Sequence, residues 1–246
     1  MIITRPEDVI HKIQILRLLT EICDSKILAQ NLYFKGGTCA SMLGYLDRFS
    51  IDLDFDLKKG ANKKKLREEF VSLFKNLDFS LDYENPNFLQ FILKYQATPN
   101  RRSTLKVSVS DSFIKSSVYQ PFYLSEVDRF FVCQTIETMF ANKLVAPIDR
   151  FEKHEKIAGR DIYDIHHFFL NGYLFRKEII EERMKMDLES FIKRLIDFIE
   201  RHVTETTINE DLNTLLPEEK FQKIRKVLKP ETLVLLKSLL IRPSVI

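Results

Sequence analysis

The segment Phe49–Leu57 constrains this chain more than any other. It alternates strictly. Ile51, Leu53, Phe55 and Leu57 fall on one side, and Asp52, Asp54 and Asp56 on the other. Alternation of period two is the signature of a β-strand with one buried face. The second face is the unusual one. Carboxylates at i, i+2 spacing lie roughly 6–7 Å apart on a strand and repel one another. Such a strand is either an amphipathic edge with a solvated acidic face or a platform for a hard cation such as Mg²⁺.

The upstream sequence favours the platform. Lys35-Gly36-Gly37-Thr38 stands between a short apolar strand at Asn31–Phe34 and a short helix at Cys39–Leu46. Two glycines let a backbone approach a ligand closely, and a helix start offers free N–H groups to a phosphate. Thr38 is expected to add a hydroxyl and Lys35 a charge. Glycine turn, short helix and acidic strand, in that order, place a triphosphate beside a metal.

The stretch KGGTCASMLGYLDRFSIDLDFDL resembles the signature of AbiEii/AbiGii-type nucleotidyltransferase toxins, within the polymerase-β-like superfamily. The matching residues are Lys35, Gly36, Gly37, Thr38, Arg48, Ser50, Asp52 and Asp54. The family's second half is matched by Lys143 in ETMFANKLVA and by Arg160, Asp161 and Asp164 in GRDIYDI. The resemblance implies that Asp52 and Asp54 bind Mg²⁺ (or Mn²⁺), and that Gly36, Gly37 and Thr38 cradle an NTP with Lys35 nearby. It also implies that Arg48 and Ser50 brace the nucleotide site. Lys143, Asp161 and Asp164 would serve the nucleotide or a proton in a cleft wall. Implied partners are the NTP, an RNA acceptor such as the 3′ end of tRNA, and a cognate antitoxin.

One departure matters. Relatives of this superfamily carry a third carboxylate on a neighbouring strand, and the matching stretch here, Leu105–Val109, has Ser108 at that position. A hydroxyl does not replace a carboxylate as ligand or base. Asp56, Asp111 or Asp161 would have to serve, or the metal arrangement is weakened.

Beyond these motifs, strand-like runs at Phe79–Tyr83, Phe88–Tyr95 and Thr104–Ser110 extend an α/β first part. From about Cys133 onward the periodicity is helical: Gln134–Ala146, Asp161–Leu170, Lys177–Arg201, Pro217–Val227 and Pro230–Leu240. The expected fold is α+β. A nucleotidyltransferase lobe with a mixed sheet and helices (1–125) is followed by a helical C-terminal lobe (126–246).

The charge sum, +3 from 38 Lys+Arg against 35 Asp+Glu, does not announce a nucleic-acid binder. The arrangement is more telling. Lys58, Lys59, Lys63, Lys64, Lys65 and Arg67 follow the acidic strand within ten residues that hold no acid. They are either a solvated helix face or a phosphate-backbone contact for the acceptor.

Three scattered cysteines without a CxxC exclude a disulfide framework and a Cys-based zinc site, and fit a reducing cytoplasm. The first residues show no apolar leader, and no run reaches a membrane span. Adjacent His166 and His167 do not face one way on a helix, so they are a poor metal pair. Two other classes remain: a nucleotide-binding or interaction module that kept the fold, favoured by Ser108, and an NTP-dependent modifier of protein. A HAD-like phosphatase fits badly, because Asp54-Phe55-Asp56-Leu57 lacks the required sequel and the glycine turn stays unexplained.

Overall fold

The computed structural model describes residues 5–97 and 101–241, so the leader reading falls partly on residues outside the described ones. The chain divides into two units. One holds the chain up to Phe113 together with Tyr119–Gln134; the other holds Ile114–Val118 and the chain from Thr135 onward.

The first unit is a mixed sheet with helices on one face. In chain order its elements are α1 (Asp8–Asp24), α2 (Lys26–Ala29), β1 (Leu32–Lys35), α3 (Gly36–Met42), β2 (Asp52–Leu57) and α4 (Lys63–Asn76). Then come β3 (Ser80–Glu84), β4 (Leu89–Lys94), β5 (Thr104–Ser110), β6 (Tyr119–Leu124) and β7 (Arg129–Gln134). The strand order is β3-β4-β5-β2-β1-β7-β6. β2 lies at the centre, antiparallel to β1 and parallel to β5.

The alternation of β2 sorts as its sequence requires. Leu53 and Phe55 are fully buried, on the face that α1 packs against. Phe55 meets Phe34 of β1 and Phe131 of β7 with ring centroids 5.2 and 6.2 Å apart. A second aromatic cluster, Phe70 and Phe74 of α4 with Phe91 of β4, closes the same face further along. Each such ring contributes about 1.5–3 kcal/mol by leaving water. The opposite face carries Asp52, Asp54 and Asp56 with their cross-strand neighbours.

One strand, β7, lies beyond the expected boundary at residue 125. β7 joins the sheet through Phe34↔Cys133, and β6 pairs with it as an edge strand. Pro121 in β6 is tolerated there because an edge strand leaves one row of N–H groups unused. The sheet therefore runs to Gln134.

The second unit is helical: α5 (Ile136–His154), α6 (Gly159–Leu170), α7 (Lys177–Met184), α8 (Leu188–His202), α9 (Glu205–Leu212), α10 (Glu218–Ile224) and α11 (Leu228–Ile241). Thr135, Asp187 and Thr204 cap α5, α8 and α9 by accepting from backbone N–H groups three residues on, each worth about 1 kcal/mol. The helix expected over Lys177–Arg201 is broken. Lys185 takes a left-handed φ of 56°, which ends α7, and Asp187 starts α8. The helix expected to stop at Ala146 instead continues through Pro147 to His154. Pro147 forfeits one bond, the N–H that would reach the carbonyl of Lys143. Its Ile148 is buried, which holds the continuation in place.

Candidate active site

The glycine turn is built around Asp54. α3 begins at Gly36, so both glycines lie in its first turn and Lys35 precedes it. Gly36 has φ +79°, a conformation that L side chains rarely adopt, and a Cβ placed there would sit 2.7 Å from Asp54 Oδ2. The missing side chain is what lets the Asp54 carboxylate lie against the turn. A Cβ at Gly37 would sit 2.8 Å from Ser50 Oγ and 3.0 Å from Arg48 Nη2.

Arg48, Ser50 and Thr38 are buried beneath the turn. Arg48 donates to the Phe49 carbonyl at 3.0 Å. Thr38 Oγ1 lies 2.5 Å from the Asp52 carbonyl and 3.0 Å from Ser50 Oγ. One hydroxyl has one proton, so Thr38 donates to Asp52 and accepts from Ser50. Its side chain ties the turn to the acidic strand, where the sequence had suggested a phosphate contact. The three residues set the turn's height over β2.

Asp52 and Asp54 remain half-exposed on the open face. Their register partners on β5 are Lys106 and Ser108. Ser108 Oγ is buried without a hydrogen-bond partner. Gln90 of β4 continues the row beyond it. Among the described residues no group of three or more His, Cys, Asp or Glu side chains could hold a metal ion. Asp52 and Asp54 are the half-exposed carboxylates of this face, and two hard oxygen donors suit Mg²⁺, which keeps waters and substrate phosphates for its remaining positions.

Asp56 is different. It is buried and accepts from Lys35 Nζ at 2.5 Å, Gln134 Nε2 at 2.6 Å and Tyr119 Oη at 3.0 Å. Tyr119 stacks on Tyr33 with centroids 4.2 Å apart. Tyr33, Tyr119 and Gln134 escaped the sequence reading, since only the sheet register brings them to Asp56.

The second motif lies wholly in the helical unit. Lys143 Nζ of α5 is 2.6 Å from Asp164 Oδ2 of α6, with side chains 16% and 0% exposed. Arg150 of α5 grips Asp161 of α6 through Nε at 2.8 Å and Nη2 at 3.3 Å. Both acids of GRDIYDI are thus engaged by cations of the preceding helix. His166 bonds Glu231 of α11 at 2.7 Å, a helix-to-helix tie.

The basic run is partly committed. Lys63 pairs with Asp111, and Arg67 pairs with Glu84 while donating to the Asn85 and Phe88 carbonyls. Asp111, one of the candidates for a third carboxylate, is thus engaged by a lysine of the basic run. Lys59 lies 5.1 Å from the centroid of Phe113. Lys58, Lys64 and Lys65 are exposed.

The family described as "Nucleotidyl transferase AbiEii toxin, Type IV TA system" matches residues 17–233. The fold is similar to that of JHP933 from Helicobacter pylori, at 20% identity and a TM-score of 0.55, covering 97% of this chain and 96% of that one. It is similar also to a second H. pylori crystal structure, described provisionally as a nucleotidyltransferase. There the identity is 21% and the TM-score 0.56, covering 95% and 94% of the two chains. No curated protein matches. No helix among the described residues is long and apolar enough to cross a membrane.

Proposed function

The chain belongs to the AbiEii nucleotidyl transferase toxin family of type IV toxin–antitoxin systems, and on that premise we propose that it transfers a nucleotide from an NTP to a hydroxyl of RNA, releasing pyrophosphate. The enzyme is a nucleotidyltransferase, and the family implies a cognate antitoxin. The acceptor class, the 3′ end of tRNA, the metal dependence and a cytoplasmic site of action belong to the proposal.

One observation carries it: Asp54 lies against a glycine whose missing side chain brings the turn onto the acidic strand. A phosphoryl group held by the turn would be within reach of the same carboxylates. Asp52 and Asp54 would hold Mg²⁺, which when bound neutralises charge on the transferring phosphoryl group and on pyrophosphate. Gly36 and Gly37 present backbone unobstructed by side chains. Arg48, Ser50 and Thr38 fix that backbone from beneath. Within the helical unit, Asp164 sets the orientation of the Lys143 ammonium, and Arg150 holds Asp161 in place. Exposed Lys58, Lys64 and Lys65, with Lys59, supply the charge that an RNA backbone would meet.

The test is incubation of the protein with each α-labelled NTP, Mg²⁺ and total tRNA, beside Asp52→Ala and Asp54→Ala. Label should enter RNA with wild type alone, and expression should be toxic with wild type alone. Label in protein would replace the acceptor assignment. No label and no pyrophosphate would refute the reaction. Changing Lys58, Lys64 and Lys65 together to Gln should raise the KM for tRNA by about tenfold or more, with that for NTP unchanged. An equal rise in both would assign the run to the nucleotide site or the fold.

A further inference from the structure

Three aspartates on one strand face invite the reading that all three serve one cation. The hydrogen bonds divide them. Lys35 lies opposite Asp54 in the β1–β2 register, and Tyr33 lies opposite Asp56. A lysine facing a carboxylate across an antiparallel pair ordinarily takes that carboxylate as its partner. Here Lys35 leaves its register partner and reaches diagonally to Asp56, at 2.5 Å.

The Asp56 carboxylate is held ready for it. Tyr119 of β6 and Gln134 of β7 both donate to Oδ2, leaving Oδ1 for the ammonium. Tyr119 is itself fixed by its stack on Tyr33. A carboxylate accepts about four hydrogen bonds, so three protein donors leave little room for a metal. Coordination would also have to displace an ammonium of like charge. On the other side of Asp54, β5 presents Ser108, which brings neither a carboxylate nor a cation.

We propose that Asp56 is a positioning residue that acts through Lys35: it draws the ammonium away from Asp54, which keeps its negative charge for a divalent cation, and it is not itself a metal ligand. The proposal rests on the metal-assisted nucleotidyltransferase reading. It answers the question that Ser108 raises. The acid that looks like a substitute third ligand is a counter-ion, and the seat has two carboxylates.

The test is Mn²⁺ binding to the full chain, read from the electron paramagnetic resonance signal of the free ion, without NTP or acceptor. In Asp56→Asn the lysine loses its partner and falls back onto Asp54. Mn²⁺ affinity should drop roughly tenfold, the scale of one pKa unit of charge interaction. In Lys35→Met/Asp56→Asn no ammonium remains to compete, and affinity should return to within about threefold of wild type. Asp54→Asn should lose binding in either background. A double variant as weak as Asp56→Asn makes Asp56 a ligand and overturns the proposal. Asp56→Asn binding as wild type does overturns it too, because the lysine then does not compete at Asp54. If Asp56→Asn does not fold, the charge-neutral double variant decides alone, because only a ligand role predicts its weakness. A wild type that binds no Mn²⁺, or binds it unchanged in Asp54→Asn, fails at the earlier step and refutes the metal reading itself.

Discussion

Lys143 is the residue whose substitution is easiest to misread, because its ammonium is half of a buried ion pair. Asp164 is fully buried, and Lys143 Nζ lies 2.6 Å from its Oδ2. Lys143→Met leaves a carboxylate where water does not reach. Removing one partner of such a pair costs about 3–5 kcal/mol. Asp164→Asn leaves the ammonium instead. At 16% exposure and on a flexible stem, Lys143 turns to solvent, and the loss is that of one charge-assisted hydrogen bond, about 1.5–3 kcal/mol. The double variant keeps neither charge of the pair and should be more stable than Lys143→Met alone. For a chain of this size 1 kcal/mol moves a melting midpoint by about 2–4 °C, so Lys143→Met should lose about 6–20 °C in the melting midpoint of the chain. Midpoints of the four proteins, read by differential scanning calorimetry, give the coupling directly. Losses that simply add would refute the ion-pair argument. Turnover then separates architecture from chemistry. If stability and activity return together in the double variant, the role of Lys143 is to brace α5 against α6. If stability returns and activity does not, the lysine acts on the substrate.

Three further outcomes follow from other parts of the molecule. Gly36→Ala and Gly44→Ala both force a residue with a side chain into φ near +79°, costing about 1–2 kcal/mol each, yet only Gly36 faces Asp54. Turnover should fall in Gly36→Ala and hold in Gly44→Ala, and equal losses would detach Asp54 from the turn. His11 is buried between the Ile51 carbonyl (2.8 Å) and Tyr95 Oη (2.6 Å), and burial pulls its pKa down to about 4. A folded pKa below the unfolded value of 6.5 gives stability present above pH 6.5 and lost as pH falls toward 4, up to about 3 kcal/mol. Urea midpoints should decline over that window in wild type and less in His11→Gln; parallel declines would refute it. Cys39 and Cys133 are fully buried, and burial pushes the Cys23 thiol up to about 12. A disulfide reagent at pH 8 should therefore find three reactive thiols only after unfolding, and rapid stoichiometric labelling of the native chain would contradict this burial.

The fold was legible where the signal is local. β2 and β5 announce themselves by alternation. β6 and β7 did not. YQPFYL and RFFVCQ place apolar residues on both sides of the strand; the place of β7 is decided by pairing with β1, distant in sequence, and that of β6 by pairing with β7. Pro147 misled in the opposite direction. Proline ends a helix when nothing rewards continuing, but one lost hydrogen bond is outweighed here by the burial of Ile148 and by the Arg150–Asp161 pair in the following turn. The break between α7 and α8 was in principle readable, since Asp187-Leu-Glu-Ser190 is a capping sequence in which Asp187 accepts from the Ser190 N–H at 2.9 Å.

The site shows where such reading stops. Spacing puts Asp52, Asp54 and Asp56 on one face, and nothing within the strand separates them. Their roles diverge through partners on other strands: Gly36 under Asp54, and Lys35, Tyr119 and Gln134 around Asp56. The same holds for Thr38, Asp161 and Asp164. The resemblance implied that they serve the nucleotide site, and their side chains contact Asp52, Arg150 and Lys143. On the proposed function, the residues that would carry the chemistry are a short half-exposed set, Asp52 and Asp54 beside a bare turn. Around them lies a larger buried set that fixes where those groups point and which of them keep their charge. A substitution in the second set acts on the first, so activity loss alone does not identify a catalytic residue in this enzyme. The compensating double variants at Lys35/Asp56 and Lys143/Asp164 do, because only a positioning role is restored by removing both partners.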